Sequence, residues 1–236
     1  MRKRWRYVLV SCERVLLCAA DVRVGPFRQS FWAVWDGERL DERTHRRRAL
    51  TLTADRLHVP GTLDLELSPT GTPVEVTTAH GEGQVWTRKT PLTAAGTLRL
   101  PGRPAAPLHG AGICDETDGR HARHTEWWWA AGLGQAADGR ALAFNLVRGV
   151  GDPEVGSERA LWLDGTPHEI GPVAFAEDLS SVAGLRFSAE ATRARRENLL
   201  VVASEYVAPF GSFAGEIDGV PFAHARGVME HHRARW

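Results

Sequence analysis

The stretch His124-Thr-Glu-Trp-Trp-Trp-Ala-Ala-Gly132 carries three consecutive tryptophans and decides the fold class. In a β-strand successive side chains point to opposite faces, so Trp128 lies on one face and Trp127 and Trp129 on the other. Each buried indole removes roughly 150–250 Å² from water. A strand that is apolar on both faces needs cover on both sides, as in a barrel wall or a packed double sheet. The stretch therefore predicts an all-β protein.

The other apolar segments of the chain are short and are separated by turn signals. Dipeptides such as Asp36-Gly37, Asp118-Gly119 and Asp138-Gly139 are typical of tight turns between strands. Regularly spaced short strands with such turns indicate a sandwich or a barrel. Only the segment Ala189–Asn198 is a candidate for a short helix.

A segment rich in proline and glycine, Leu100–Gly112, lacks strand alternation and is interpreted as a linker. It predicts two domains, an N-terminal half over residues 1–104 and a C-terminal half over residues 105–236. Each half has enough apolar segments for its own core.

Charge and cysteine content bound the partners and the compartment. The 29 basic and 29 acidic residues cancel, so no nucleic-acid footprint is predicted. The runs Arg2-Lys3-Arg4 and Arg46-Arg47-Arg48 are interpreted as solvated loops. Glu13 and Arg14 interrupt the apolar run near the start, which disfavours a signal peptide, and no apolar stretch reaches the roughly 20 residues that cross a bilayer. With three cysteines that lack metal-ligand spacing, we expect a cytoplasmic protein.

One face of the tryptophan-rich strand combines His124, Glu126 and Trp128. In a cavity, an acid beside an aromatic wall can protonate an alkene and shelter the resulting cation over the indole ring. Burial would raise the pKa of Glu126 and favour its protonated form. The alternative is that Glu126 pairs with an arginine at a barrel rim.

Two further glutamates are candidate acids, Glu158 and Glu230, because paired carboxylates can divide acid and base roles when their environments separate their pKa values. The alternative for each is an ion pair with an arginine. Asn145 lies in an otherwise apolar strand, where it either orients a polar group of a ligand or satisfies the local backbone. Trp162 and Phe210 are further candidate ligand-binding residues. Phe210 lies in a glycine-rich aromatic turn that forms either a lid over an apolar cavity or part of the core.

Metal and nucleotide sites are not predicted. His231 and His232 are adjacent in a strand and point to opposite faces, so they are not expected to bind one metal ion. The Gly-x-Gly segments lack a following helix, and no nucleophile elbow is present, so neither a nucleotide cofactor nor a serine nucleophile is expected.

Ordered motifs run through most of the chain: Lys3–Tyr7, Phe31–Trp35, Asp115–Gly119, His124–Gly132, Ala143–Gly149, Ser157-Glu158, Trp162–Gly165, Gly171–Phe175, Pro209–Gly215 and Gly227–Trp236. In this order they resemble a bacterial family of unassigned function, domain of unknown function twenty-eight-oh-four. Members of that family typically begin earlier, so we expect the first half to be an open barrel or truncated at its start.

That family is similar, more distantly, to proteins with two consecutive lipocalin-like halves, including carotenoid hydratases of the hydroxyneurosporene type, tocopherol cyclase and fungal lipocalin-like cyclases. These act on large apolar molecules held in or between barrels. The resemblance implies two consecutive lipocalin-like (calycin-type) antiparallel barrels or half-barrels. It leaves open a cofactor-free hydratase, isomerase or cyclase acting on an apolar small molecule, a non-catalytic carrier of a lipid-like ligand, and a purely structural β module.

Overall fold

The computed structural model describes residues 1–199 and 202–235. Within these ranges the regular elements are nineteen β-strands. This part of the chain has no helix, and hence none that is long and apolar enough to cross a membrane.

Ten strands form the first sheet: β1 (Arg2–Cys12), β2 (Val15–Val24), β3 (Phe27–Trp35), β4 (Leu40–His45), β5 (Thr51–Leu52), β6 (Arg56–Val59), β7 (Leu63–Pro69), β8 (Val74–His80), β9 (Gly83–Leu98) and β10 (Ala106–Arg120). Their order is β4-β3-β2-β1-β10-β9-β7-β6-β5, and β8 also pairs with β9. All of these pairs are antiparallel, and β1 and β10 lie at the centre.

The second sheet contains β11 (His124–Ala136), β12 (Ala141–Arg148), β13 (Ala160–Leu163), β14 (Thr166–Glu169), β15 (Ser181–Val182), β16 (Leu185–Leu199), β17 (Val202–Ala214), β18 (Glu216–Ile217) and β19 (Val220–Arg235). The order is β14-β13-β12-β11-β19-β17-β16-β15, with β18 paired to β19. This sheet is also antiparallel, and the tryptophan-rich strand β11 lies between β12 and β19.

The two curled sheets are half-barrels, and they create three apolar layers. One layer fills the first half-barrel, one fills the second, and a third lies between the sheets. Alternation in β1 shows how a strand serves two layers: Val8 belongs to the first interior and Leu9 to the layer between the sheets. The predicted all-β fold of two lipocalin-like half-barrels is confirmed.

The predicted linker Leu100–Gly112 was wrong over most of its length. Residues from Ala106 onward form β10, which pairs with both β1 and β9. Its glycines do not mark flexibility, since a Cβ at Gly110 would collide with the carbonyl oxygen of Ser11 on the adjacent strand. The chain passes from the first sheet to the second at residues 121–123, after the boundary expected at residue 104, and the division into two domains stays a prediction.

Two smaller predictions were also wrong. The candidate helix Ala189–Asn198 lies within β16, where a bulge at Ala189 and Ala191 shifts the register against β17. Such a bulge interrupts strict alternation and leaves a strand without its usual sequence signature. The run Arg2-Lys3-Arg4 is part of β1 rather than a solvated loop, because it pairs with both β2 and β10.

Candidate functional site

A cavity of about 160 Å³ lies between the two sheets. Strands β1, β2, β3, β9 and β10 line it from one side, and β11, β12, β16, β17 and β19 from the other. Much of its wall is aromatic: Trp5, Tyr7, Phe31, Trp127, Trp129 and Tyr206. The volume resembles that of an engineered apolar cavity of about 150 Å³ that binds benzene. The cavity can therefore hold a molecule of about one ring.

Alternation in β11 separates Trp128 from Trp127 and Trp129, as the sequence predicts, but the cavity lies on the face of Trp127 and Trp129 rather than on the face of Trp128. Trp129 contacts Tyr7 edge to face, with ring centroids 5.3 Å apart. Its indole Nε1 donates a hydrogen bond of 2.8 Å to Oδ1 of the buried Asn145. Trp127 stacks on His232 at 4.1 Å and donates from Nε1 to Glu230 Oε1 at 3.1 Å. Both indoles are thus fixed by hydrogen bonds as well as by packing.

Three buried charged side chains meet beside the aromatic wall. Lys89 on β9 and Asp115 on β10 are directly opposite each other, and the Lys89 Nζ lies 2.5 Å from Asp115 Oδ1. Glu158 precedes β13 in the second sheet, and its Oε2 lies 3.1 Å from the same Nζ. Lys89 is therefore shared by a carboxyl group of the first sheet and one of the segment that leads into β13, and this group of three is called the Lys89 cluster below.

The electrostatics of the Lys89 cluster favour one retained proton. Burial raises the pKa of Glu158; the Lys89 ammonium opposes this shift, and Asp115 adds to it. Burial by itself would lower the pKa of Lys89, but Asp115 and Glu158 outweigh it, so the pKa is raised and the amine stays charged. One ammonium facing two carboxyl groups is neutral overall when the carboxyl groups hold one proton between them.

His121 and Lys3 are further buried polar residues in the cavity wall. Neither ring nitrogen of His121 has a hydrogen-bond partner within residues 1–199 and 202–235, and the ring lies 5.2 Å from that of Trp5. Burial lowers the pKa of His121 to about 3, so its imidazole is neutral near pH 7. Burial likewise lowers the pKa of Lys3 to about 6.

Arg193 supplies a fixed cation in the same wall. Its Nε donates to Glu42 Oε2 on β4 at 2.7 Å, and its Nη2 donates to the Tyr206 hydroxyl at 3.2 Å. The guanidinium carbon also lies 4.5 Å from the centre of the Phe31 ring. These contacts reach both sheets and hold Arg193 in one position.

The face with His124, Glu126 and Trp128 does not line this cavity. Glu126 is exposed, and its Oε1 accepts from Arg233 Nε at 2.7 Å and lies 2.8 Å from His231 Nε2. Hydrogen bonds from Arg233 and His231 lower the pKa of Glu126, so the expectation that burial raises it was wrong. The alternative, in which Glu126 pairs with an arginine, describes the observed contact with Arg233.

Trp128 and His124 also lie away from the cavity. Trp128 packs against the core of the second half-barrel, with its ring stacked on His231 at 4.3 Å and the Arg148 guanidinium 3.9 Å from its centre. His124 is exposed at the start of β11. The prediction that Trp128 forms a cavity wall and His124 orients a ligand there has no support in this geometry, because both side chains lie on the face of β11 opposite to Trp127 and Trp129.

The remaining predicted residues divide into two groups. Glu158 and Glu230 line the cavity, as an acid must if it is to reach a bound molecule. Asn145 is fully buried behind the wall, where its Nδ2 donates to the Glu158 backbone oxygen at 2.8 Å. Trp162 and Phe210 are core residues of the layer between the sheets and do not line the cavity.

Sequence reasoning missed Lys89, Asp115, His121 and Arg193. One signal in the composition was available: the chain has only two lysines among 29 basic residues, and both Lys3 and Lys89 line this cavity. A rare charged residue inside an alternating apolar strand is a sign of a built site rather than of a solvated surface.

Fold and cavity together define a double half-barrel protein of the lipocalin-like type with a ligand-sized space between its sheets. Residues 41–236 match the family described as Domain of unknown function (DUF2804), and the chain belongs to this family. No protein with a curated description matches the chain. The family match confirms the resemblance that was inferred from the ordered motifs.

Solved structures share the fold at low sequence identity. A proposed AttH from Nitrosomonas europaea has a TM-score of 0.58 and 16% identity, over 98% of this chain and 92% of that one. Kievitone hydratase from Nectria haematococca has a TM-score of 0.57 and 10% identity, over 97% and 88%. CghA has a TM-score of 0.55 and 10% identity, over 99% and 88%. At these identities the likeness shows the fold.

Proposed function

We propose that this protein is an enzyme that binds a small, mostly apolar molecule between the two sheets and transfers a proton to or from it. The observation that carries this proposal is the Glu158 carboxyl, which lines an aromatic cavity, has a raised pKa and shares Lys89 with Asp115. Because a general acid works best when its pKa lies near the operating pH, a raised carboxyl pKa suits this role. One structural neighbour is named as a hydratase, which agrees with this class of reaction.

The proposed chemistry is cofactor-free proton transfer. Protonated Glu158 gives its proton to an alkene carbon, and electron-rich rings such as those of Trp127 and Trp129 stabilise the positive charge that develops. Water then adds to the cation and returns one proton to Glu158, which is hydration, or a neighbouring C–H loses its proton to Glu158, which is isomerisation. Lys89 stabilises the carboxylate that exists between the two steps.

Other residues of the cavity position these groups. Asn145 links the Trp129 indole to the Glu158 backbone, so it fixes the wall relative to the acid. Glu230 is held by Trp127 and by His232, whose Nδ1 lies 3.2 Å from its Oε1. We assign Glu230 to orienting Trp127, and Glu158 to acid–base chemistry.

A non-catalytic carrier is the second candidate, and the aromatic lining favours it equally. In that case the Lys89 cluster only joins the first sheet to the segment that leads into β13, since its carboxyl groups come from these two places. The two candidates differ in whether a bound molecule changes chemically.

The test uses purified protein, a small-molecule extract of its own host cells and deuterium oxide as solvent. The enzyme proposal predicts that mass spectrometry finds a compound gaining deuterium with wild-type protein, and that Glu158→Gln abolishes this gain. Glu126→Gln is the matched control, because it changes an exposed glutamate outside the cavity, and it should retain full turnover. A compound that binds wild-type protein and leaves unlabelled supports the carrier, and turnover that survives Glu158→Gln contradicts the assigned acid.

A further inference from the structure

A second concave region lies at one end of the first half-barrel and adjoins the inter-sheet cavity, since Trp5 and Thr117 line both. It encloses about 1100 Å³ and is lined by seven arginines: Arg2, Arg4, Arg6, Arg23, Arg28, Arg48 and Arg120. In β1 the even-numbered residues face this side, because Val8 and Val10 belong to the core of the same half-barrel. We call this region the arginine basin.

Three arginines of the basin stand directly opposite one another on neighbouring strands. Arg28 on β3 is paired with Arg23 on β2, and Arg23 is paired with Arg4 on β1. Like charges at directly opposed positions of an antiparallel pair destabilise a sheet. Arg4 is in turn directly opposite Asp118 on β10, so the two arginine pairs cost stability to the extent that the acids of the basin leave them uncompensated.

The acidic residues of the basin do not supply enough compensation. Three of its four acids are held by one arginine each: Asp21 by Arg28, Asp118 by Arg2 and Glu116 by Arg6. The fourth acid is Glu82.

The remaining four arginines, Arg4, Arg23, Arg48 and Arg120, form no ion pair with any residue that the structure describes. All four are exposed at the basin. The Nε atoms of Arg23 and Arg48 donate to backbone carbonyls of Gly25 and Leu50, which orients the two guanidinium groups without neutralising them.

We infer that the arginine basin binds the phosphate group of a soluble phosphorylated small molecule. Guanidinium groups present a planar fork of donors that matches phosphate oxygens. Every basic residue that lines the basin is an arginine, and neither of the chain's two lysines lies there. A dianion between Arg4 and Arg23 would convert their repulsion into attraction. None of these seven arginines lines the inter-sheet cavity, so the inference does not depend on the proposed function.

The test measures binding of inorganic pyrophosphate by calorimetry and by thermal unfolding, with ionic strength matched by sodium chloride. Wild-type protein should bind saturably and unfold at a higher temperature with pyrophosphate. Arg23→Gln should weaken binding roughly tenfold or more, the usual effect of losing a charge-assisted hydrogen bond. Without pyrophosphate, Arg23→Gln should unfold at the same or a higher temperature than wild type, because two repulsive pairs are removed.

Arg186→Gln is the matched control, since it removes an equal charge from an exposed position on β16 outside the basin. It should leave the affinity for pyrophosphate unchanged, and Arg4→Gln should repeat the effect of Arg23→Gln. Absence of saturable binding by wild type at millimolar pyrophosphate would overturn the inference, as would equal losses in Arg186→Gln and Arg23→Gln. Arg23-dependent binding to phosphatidic acid vesicles without binding of pyrophosphate would also overturn it, because the partner would then be a membrane surface.

Discussion

The two faces of strand β11 have similar residues and opposite environments. On one face Trp127 and Trp129 line an enclosed cavity beside buried charges. On the other face Glu126 is exposed and bound by Arg233, and Trp128 is stacked on His231. The difference arises from what packs against each face, because the first sheet closes the cavity over Trp127 and Trp129, whereas Trp128 packs against the core of the second half-barrel.

This difference shows what an alternating pattern determines and what it leaves open. Alternation determines which residues share a face, and the three tryptophans obey it. It does not determine which face meets a cavity, since the residues that close the cavity, such as Tyr7 and Phe31, come from strands of the other sheet that are distant in sequence. The pKa directions of the two candidate acids differ accordingly: hydrogen bonds from Arg233 and His231 lower the pKa of the exposed Glu126, whereas burial raises the pKa of Glu158, which precedes β13 and lines the cavity.

The largest expected difference in stability is between removing the cation beside the cavity, Lys89, and removing the cation on the exposed face, Arg233. Lys89→Met leaves two buried carboxyl groups without their shared ammonium, and breaking a buried ion pair in this way costs about 3–5 kcal/mol of unfolding free energy. Arg233→Met removes an exposed partner of Glu126 and should change stability within experimental error. Urea unfolding followed by tryptophan fluorescence measures both. Equal losses would show that the two faces do not differ in burial as described.

A smaller difference in stability is expected between substitutions of Trp129 and of Trp128. Trp129→Phe leaves the buried Oδ1 of Asn145 without its donor, which costs about 1–3 kcal/mol in addition to lost packing. Trp128→Phe removes a buried Nε1 that has no partner among the described residues, and loses mainly the contact with Arg148, worth about 0.5–1 kcal/mol. The same unfolding measurement applies. A greater loss for Trp128→Phe would reverse the assignment of the faces.

The pH dependence of stability should have opposite signs at the two glutamates. The lowered pKa of Glu126 means that its contribution is present above pH 4.5 and is lost as pH falls through the folded-state pKa. The destabilisation caused by Glu126→Gln should therefore grow as pH rises toward 4.5 and then stay constant. The raised pKa of Glu158 means that wild-type stability falls as pH rises above 4.5, so the destabilisation caused by Glu158→Gln should shrink.

Unfolding free energies measured at several pH values between 3 and 8 check both trends, with the wild-type protein as reference at each pH. Parallel curves for Glu126→Gln and Glu158→Gln would contradict the opposite environments of the two carboxyl groups.

The fold was predictable from particular residues, and the site only in part. The three tryptophans and the spaced turns gave the all-β class, and the ordered motifs gave the two half-barrels. Glu158 and Glu230 were among the predicted acids, and both line the cavity. Lys89 and Asp115 escaped prediction because a cross-strand pair becomes visible only when the register of β9 and β10 is known. Trp162 and Phe210 were misjudged because cavity wall and solid core have the same composition.

The smallest effect is expected on the exposed face. His124→Ala and Glu126→Gln should leave the affinity for a compound that binds wild-type protein in the extract test unchanged, because neither side chain lines the cavity. Trp127→Ala removes part of the wall and should weaken the same affinity. Quenching of tryptophan fluorescence by the compound measures all three variants. Weaker binding by His124→Ala alone would place the ligand on the face of β11 that carries Trp128, and would contradict binding between the sheets.

A crystal structure of the protein soaked in phenol tests the central claim most directly, because phenol is one ring in size and carries one polar atom. We expect density for phenol between the sheets, against Trp127 and Trp129 and within reach of Glu158. Phenol bound only on the opposite face of β11, beside Trp128, would contradict it.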